Sequence, residues 1–481
     1  MPLLLQSKRL CFSCFYLFAS LILAFYVSIS PSMKCLLFRA APYDPIQSPL
    51  FSYPSTYGEH KHVLPTLRSS CSSPVFFSDY PSILKEIQQG FQDRIESPLR
   101  YMQGKAVTFG GNFSLEKRIN FFDTFEQNIE FPCGFFKPFP INDYDRAEMG
   151  RCKGVVVVSA IFGDHDKIRQ PKGIGSKTLD ITCFIMFVDD VTLRGLVNHN
   201  LISKESNEYK VGVWRLVNVS SQGLYRNPAM NGVIPKYLVH RLFPNAKYSI
   251  WVDAKLQLVV DPLLLIHSLV IKEDVDMAIS RHPFFTHTME EAMATTRWRK
   301  WLDVEGVKIQ METYCENGLR PWSSSKLPYL SDVPDTALIL RKHGVSSNVF
   351  SCLMFNELDA FNHRDQLAFA YVRDKMKPRI KMNMFEVEVL EQIVLEYRHN
   401  LKRGSSSTTP ADKIKVTRAQ PDVSRANGLG KCQGERGNER RIRYGCLNLC
   451  RSNNRYQSPV ADTGIPTIQN ATTEADFDTK E

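Results

Sequence analysis

The run GVVVVSAIF at residues 154–162 is apolar and mostly β-branched without a break. A strand wetted on one face alternates polar with apolar residues, so an unbroken run belongs to a strand covered on both faces. That is the signature of a central strand in a parallel sheet, and a parallel sheet obliges the chain to cross over through helices. The run ends in the polar turn Gly163-Asp164-His165-Asp166-Lys167, followed by Ile168-Arg169-Gln170. A second run, ITCFIMFV at 181–188, also ends in acids, Asp189 and Asp190, and a third strand is expected over 211–219 around Trp214 and Arg215. Strands interleaved with helices and polar turns predict a doubly wound α/β sheet, whose ligands collect at the carboxyl ends of its strands.

The stretch 227–262 organises the rest. Apolar residues fall at helical spacing over 236–243, Pro244-Asn245 stops that helix, and 248–260 turns to two-residue alternation. Ile250, Val252, Ala254, Leu256 and Leu258 then share one face, and Trp251, Asp253, Lys255 and Gln257 share the other. A carboxylate and an ammonium two positions apart are either a surface ion pair or a ligand-binding pair. Beyond them the pattern gives a helix over 263–270, a strand over 276–280, a helix over 288–301, and strands over 337–341 and 349–355. A helix over 367–372 is opened by His363-Arg364-Asp365-Gln366. Over 288–301, Glu290, Glu291, Arg297, Arg299 and Lys300 surround Met293, Trp298 and Trp301, which reads as a solvated charged face. The Pro- and Ser-rich loop at 317–336 is long enough to be functional.

The chain has 481 residues, 43% of them hydrophobic, enough for a sizeable core in two or three domains. Its formal net charge of +10 gathers partly at 398–455, so nucleic acid is not the expected partner. Residues 10–29, LCFSCFYLFASLILAFYVSI, form an uncharged run able to cross a bilayer core of about 30 Å as one helix. Lys8-Arg9 before it predict a cytosolic N-terminus. A cleaved signal peptide has a shorter apolar region and small residues at its cleavage site, so an uncleaved type II anchor is expected. Residues 1–9 would be cytosolic, 30–130 a lumenal stem with one helix over 82–91, 131–402 the main domain, and 403–481 a disordered basic tail. A lumen permits disulfides among the cysteines beyond the anchor, and Asn112, Asn218 and Asn470 head glycosylation sequons. Cys446-x-x-x-Cys450 has no companion pair to make a zinc site.

The segments SAIFGDHDKIRQP, NPAMNGVIPKYLVHRLFPNAKYSIWVDAKLQL, EEAMATTRW, LPYLSDVPDTALILRKH, NHRDQLAFAYV and EYRHNLK together resemble a plant family of glycosyltransferase-like proteins. That family joins a turgor-regulation alkaline ceramidase with a mucilage-related hexosyltransferase. The similarity spans about residues 130–402. YDPIQ at 43–47 and SYPSTYGEHK at 52–61 extend it toward the anchor in the turgor-regulation branch, and the tail takes no part.

The resemblance implies a GT-A-like fold with a doubly wound mixed sheet, a single transmembrane anchor, and residence in the Golgi membrane with the catalytic domain lumenal. It implies transfer of a hexose from a nucleotide sugar to a cell-wall or mucilage glycan. It equally implies the alternative of ceramide amide hydrolysis, and a non-catalytic Golgi scaffold is a third reading. Transferases of that fold commonly hold the donor through Asp-x-Asp and a divalent metal, and the matching positions here are Asp253 and Lys255. A protonated lysine cannot ligate a metal, which argues against Mn²⁺ and leaves the cofactor open, with none as one possibility. Lys255 would instead neutralise the departing diphosphate directly.

Asp365 would act as a base or position the acceptor, although a helix N-terminus favours an acid there in any case. Asp164, Asp166, Arg169, Lys236, Trp251, Gln366 and His399 complete the expected donor-binding set, with Asp253 and His399 the candidate ligands of any metal. Ceramide hydrolysis would need a metal-bound water or an activated nucleophile, and no H-E-x-x-H or G-x-S-x-G pattern is present. It would require His165, His240, His282 and His363 to converge with Asp164 or Asp253.

Overall fold

The computed structural model describes residues 12–22, 35–37, 42, 71, 73–90, 99–122, 130–203 and 208–397. Their strands are β1 (Leu36–Leu37), β2 (Val75–Phe76), β3 (Val155–Ile161), β4 (Thr182–Asp189), β5 (Tyr209–Val211) and β6 (Trp214–Val219). The second half of the chain adds β7 (Tyr248–Val252), β8 (Leu256–Leu258), β9 (Met277–Arg281), β10 (Pro334–Lys342), β11 (Met382–Phe385) and β12 (Val394–Glu396). Eight of them form one mixed sheet in the order β11-β9-β10-β7-β3-β4-β6-β5, while β1 pairs with β2 and β8 with β12.

β3 is buried along its length and pairs parallel with β4 on one side and β7 on the other, as its unbroken apolar run requires. Its side chains feed two cores in alternation: Val156 and Val158 enter one, and Val155, Val157 and Ile161 the other. β4 and β6 are parallel, β10 runs against both β7 and β9, and β11 lies parallel to β9. The carboxyl ends of β3, β4, β6, β7, β9 and β11 therefore meet the amino end of β10 at one edge. This mixed α/β architecture is the broad class that the alternating pattern predicts.

Several expected elements differ, among them the helix expected over 236–243, which is split between the end of the helix Pro228–Tyr237 and the helix Val239–Leu242, and the helix expected over 288–301, which ends at Arg297. The strand expected over 248–260 is broken into β7 and β8 by a turn at Asp253-Ala254-Lys255, where Leu256 N–H donates to Asp253 O at 2.8 Å. Ile250, Val252, Ala254, Leu256 and Leu258 still share one core, but Trp251 is buried in the other, so the polar face is open only in part, at Asp253 and Lys255. The strand expected over 211–219 is the hairpin β5–β6, turned at Gly212 (φ 60°), where a Cβ would meet Gln170 at 2.1 Å. The strand expected over 349–355 lies inside the helix Val345–Ala360. Val349 to Phe355 are all buried, and a helix covered all round has the same apolar run as a buried strand.

The helix Tyr80–Gly90 matches the one expected over 82–91, and its Tyr80, Ile83 and Ile87 are buried with Val155 and Leu263 in the main core. Part of the expected stem is thus fastened to the sheet, with Tyr80 Oη 2.8 Å from Thr178 Oγ1. Disulfides link Cys35 to Cys71, Cys133 to Cys352 and Cys152 to Cys183. Of the run 10–29, residues 12–22 are described as an exposed helix, and among the described residues no helix is long and apolar enough to cross a membrane. The tail expected over 403–481 lies outside the described residues.

Candidate functional site

Charge gathers where the strands end. Asp253 follows β7 directly, its N–H still donating to Ala337 O of β10 at 2.8 Å. Its carboxylate accepts from Trp251 Nε1 at 2.6 Å and lies 3.8 Å from Lys236 Nζ. Lys236 comes from the last turn of the helix Pro228–Tyr237, which Asn227 caps and in which Pro235 supplies no N–H to carry the helix further. Its Nζ is also 2.6 Å from Asp365, the first residue of the helix Asp365–Lys375. Tyr237 Oη (3.0 Å) and Thr336 Oγ1 (2.9 Å) donate to the same carboxylate. One buried ammonium thus serves two carboxylates, with the Trp251 and Tyr237 rings 5.8 and 5.9 Å away.

The two acids differ in character. Burial pushes the Asp253 carboxyl above its ordinary range, even against Lys236 and Lys255. Burial acts on Asp365 as well, but Lys236, Thr336 and Arg364 outweigh it and hold that carboxyl below the ordinary range. Asp253 keeps 30% of its side chain exposed, whereas Asp365 is sealed. One acid is available to a ligand, and the other is fixed as a counter-charge.

Lys255 turns toward β12, where its Nζ meets Glu396 Oε1 at 2.6 Å. Burial would ease its proton off, but Glu396, Asp335 and Asp253 together push its pKa up, so it stays cationic. Tyr397 N–H donates to Lys255 O at 2.9 Å, and the Tyr397 ring stacks 3.9 Å from the Arg169 guanidinium. Lys236, Trp251, Asp253, Lys255 and Asp365 are therefore brought together. Arg169 reaches the group through Tyr397, and Gln366 adjoins Asp365 with its Oε1 buried and without a hydrogen-bond partner. Asp164 is buried against the helix Asp190–Asn198, its N–H donating to Thr192 Oγ1 at 3.0 Å, and Asp166 is half-buried in the same loop. His399 lies outside the described residues.

Several members had no local signal. Glu291, expected on a solvated face, is 0% exposed and is held by Arg364 Nη2 at 2.5 Å and Lys300 Nζ at 3.4 Å. The apolar Met293 (43%) and Trp298 (57%) of that segment face water instead. Thr336 sits at the amino end of β10, which only the antiparallel course of that strand brings to this edge. His282 and His363 flank the cluster, His165 is exposed, and His240 is buried elsewhere, so the four histidines do not converge. Among the described residues, the one group of three with metal-ligand proximity is Cys133, His240 and Cys352, whose two sulfurs form a disulfide.

Burial holds the His363 pKa down to about 4 and that of His343 to about 3, below the ordinary 6.5, and lowers those of His240 and His282. Depressed histidines add stability that is present above pH 6.5 and lost as pH falls through the folded-state values. The melting temperature is expected to fall between pH 6.5 and 4, each such histidine contributing a slope of about 1.4 kcal/mol per pH unit. His363→Gln should flatten the curve. A profile rising toward pH 4 in both proteins would overturn this account.

The family model described as "TOD1/MUCI70, glycosyltransferase-like domain" matches residues 95–399. The chain is 64% identical over 412 residues to "Alkaline ceramidase TOD1" of Arabidopsis thaliana, covering 85% of this chain and 88% of that protein. It is 39% identical over 293 residues to "Probable hexosyltransferase MUCI70" of the same plant, covering 58% of this chain and 49% of that protein. Among solved structures, mouse xyloside xylosyltransferase 1 aligns at 7% identity with a TM-score of 0.27, over 48% of this chain and 84% of the other. The mannosyltransferase Ktr4p of S. cerevisiae aligns at 8% and 0.22, over 62% and 84%. Neither structural likeness is close enough to bear on the reaction. By the domain match and the extent of its identity, the chain belongs to the TOD1/MUCI70 glycosyltransferase-like family.

Proposed function

We propose that this protein is a glycosyltransferase of GT-A-like fold, anchored in the Golgi membrane as a single-pass type II protein, that transfers a hexose from a nucleotide sugar to a glycan. One observation carries the reading: a part-exposed carboxylate, Asp253, stands at the carboxyl end of a central strand with Lys236 3.8 Å away and Lys255 two residues on. Asp253, oriented by Trp251, contacts the donor sugar nucleotide. Lys236 and Lys255 face the departing diphosphate and neutralise the charge that develops as the glycosidic bond to it breaks. Asp365, ionised and fully hydrogen-bonded, holds Lys236 in place. The residues do not fit a divalent metal at the Asp-x-Asp position, because Lys255 is a committed cation and Lys236 already faces Asp253.

Ceramide hydrolysis is the second reading, favoured by the name of the relative at 64% identity. In it Asp253, with its raised pKa, would take the proton of an attacking water. The full-length protein in detergent, offered a panel of nucleotide sugars, is expected to release nucleoside diphosphate with at least one of them and to do so in the presence of chelator. Ceramide cleavage without any diphosphate release would replace the first reading by the second.

A further inference from the structure

We propose that the ledge formed by His282, Phe284, Phe285 and Trp298 is a carbohydrate subsite that stacks one pyranose ring of the acceptor glycan on the same edge of the sheet as Asp253. The proposal rests on the transferase reading and adds to it the place and the chemistry of acceptor binding. β9 ends at Arg281 on the charged edge, and the turn that follows is built around His282. Its Nδ1 accepts from the N–H groups of Phe284 and Phe285 at 3.2 and 3.1 Å, which fixes the ring. The His282 and Phe285 rings stack at 4.9 Å and 12°, and Phe285 lies 6.1 Å from Trp298, the residue that ends the helix Thr288–Arg297.

Phe284 is 78% exposed and Trp298 57%, an arrangement that leaves two large aromatic faces in water on a well-defined turn. From Trp298 the path to the catalytic group is short at every step. Lys300 Nζ sits 5.0 Å over the Trp298 ring and 3.4 Å from Glu291, Arg364 lies 2.5 Å from the same carboxylate, and Asp365 follows Arg364 in the chain.

A pyranose ring has a flat C–H face and a rim of hydroxyls. The aromatic ledge offers a surface for the first. Polar groups for the second flank the rings: the part-exposed ammonium of Lys300 over Trp298, and behind it the part-exposed guanidinium of Arg364. An acyl chain asks for a continuous apolar groove, whereas here the exposed cations Arg297, Arg299 and Lys300 adjoin Trp298 in the chain. A sugar that presents both faces at once fits this alternation, and a lipid does not.

The test uses the full-length protein in detergent, titrated with cellohexaose, xylohexaose and a uronate hexasaccharide while tryptophan fluorescence is followed. Saturable binding of at least one saccharide is expected, weakened about 10- to 100-fold in Trp298→Ala and in Phe284→Ala, at unchanged melting temperature. In turnover, the same variants should raise the acceptor KM by a similar factor while release of nucleoside diphosphate to water is unaffected. Binding without turnover on any nucleotide sugar would overturn the transferase reading and leave the subsite standing. No saccharide binding, equal binding by both variants, or a loss in the variants of adsorption to phosphatidylcholine vesicles in place of saccharide binding would overturn the subsite.

Discussion

Asp253→Asn is expected to lower turnover about 10²- to 10³-fold, the scale for one lost electrostatic contact in a preorganised site. Asparagine keeps the shape of the side chain and can still accept from Trp251 Nε1, so the melting temperature should barely move. What it removes is the charge that faces Lys236 and, in the transferase reading, the donor. Lys236→Met should be worse on both counts, because Asp365 is sealed and would lose its 2.6 Å partner. Breaking a buried pair on one side costs about 3–5 kcal/mol. Adding Asp365→Asn to Lys236→Met should recover much of that stability and none of the activity. Glu396→Gln, which frees Lys255 without removing its charge, should leave turnover within a few-fold of wild type. Wild-type turnover in Asp253→Asn would end the case for this site.

The largest effect on stability should come from Cys352→Ser. Its partner Cys133 precedes the sheet in the chain, Cys352 sits mid-helix in Val345–Ala360, and 219 residues separate them. Closing so long a loop removes chain entropy from the unfolded state, worth up to about 5 kcal/mol. For a domain of this size that corresponds to a fall in melting temperature of about 10–20 °C. Cys133→Ser should match it, and the double variant should be no worse than either single one, since all three lack the same bond. A fall under about 3 °C under non-reducing conditions would show that the cross-link adds nothing to what the surrounding core already supplies.

Much of this fold is legible in the sequence because burial leaves a plain mark on composition. The unbroken run at β3 gives its central place, and the acids at the ends of β3, β4 and β7 mark the carboxyl edge of the sheet. That Asp253 lies beside Trp251 is legible too, but Lys255, beyond the turn that breaks the expected strand, pairs with Glu396, and the lysine facing Asp253 is Lys236. What is not legible is whatever depends on tertiary pairing. Glu291 reads as a surface residue, since nothing within its own helix foretells Arg364, 73 residues on, or the burial that Arg364 makes tolerable. Helix Val345–Ala360 reads as a strand because a fully covered element loses its period. Asp365 and Lys236 lie far apart in sequence, and their ion pair follows only once β10 is known to run backwards between β7 and β9.

Glu396 on β12 has a bearing on the order of events during synthesis. β7 is laid down early, yet Lys255 at its exit meets its counter-charge only when a residue 141 positions later has been made. Asp253 likewise waits for Ala337 of β10 to take its N–H, and Lys236 for Asp365. A nascent chain emerging from the ribosome therefore carries Lys236 without its closer counter-charge until Asp365 is made, and Lys255 without Glu396 until the last strand is out. Closure of such distant contacts is slow, and the intermediates that precede it expose sheet edges. Completion of the charged cluster is thereby tied to completion of the domain, and a chain cut short before β12 would carry Lys255 without its counter-charge.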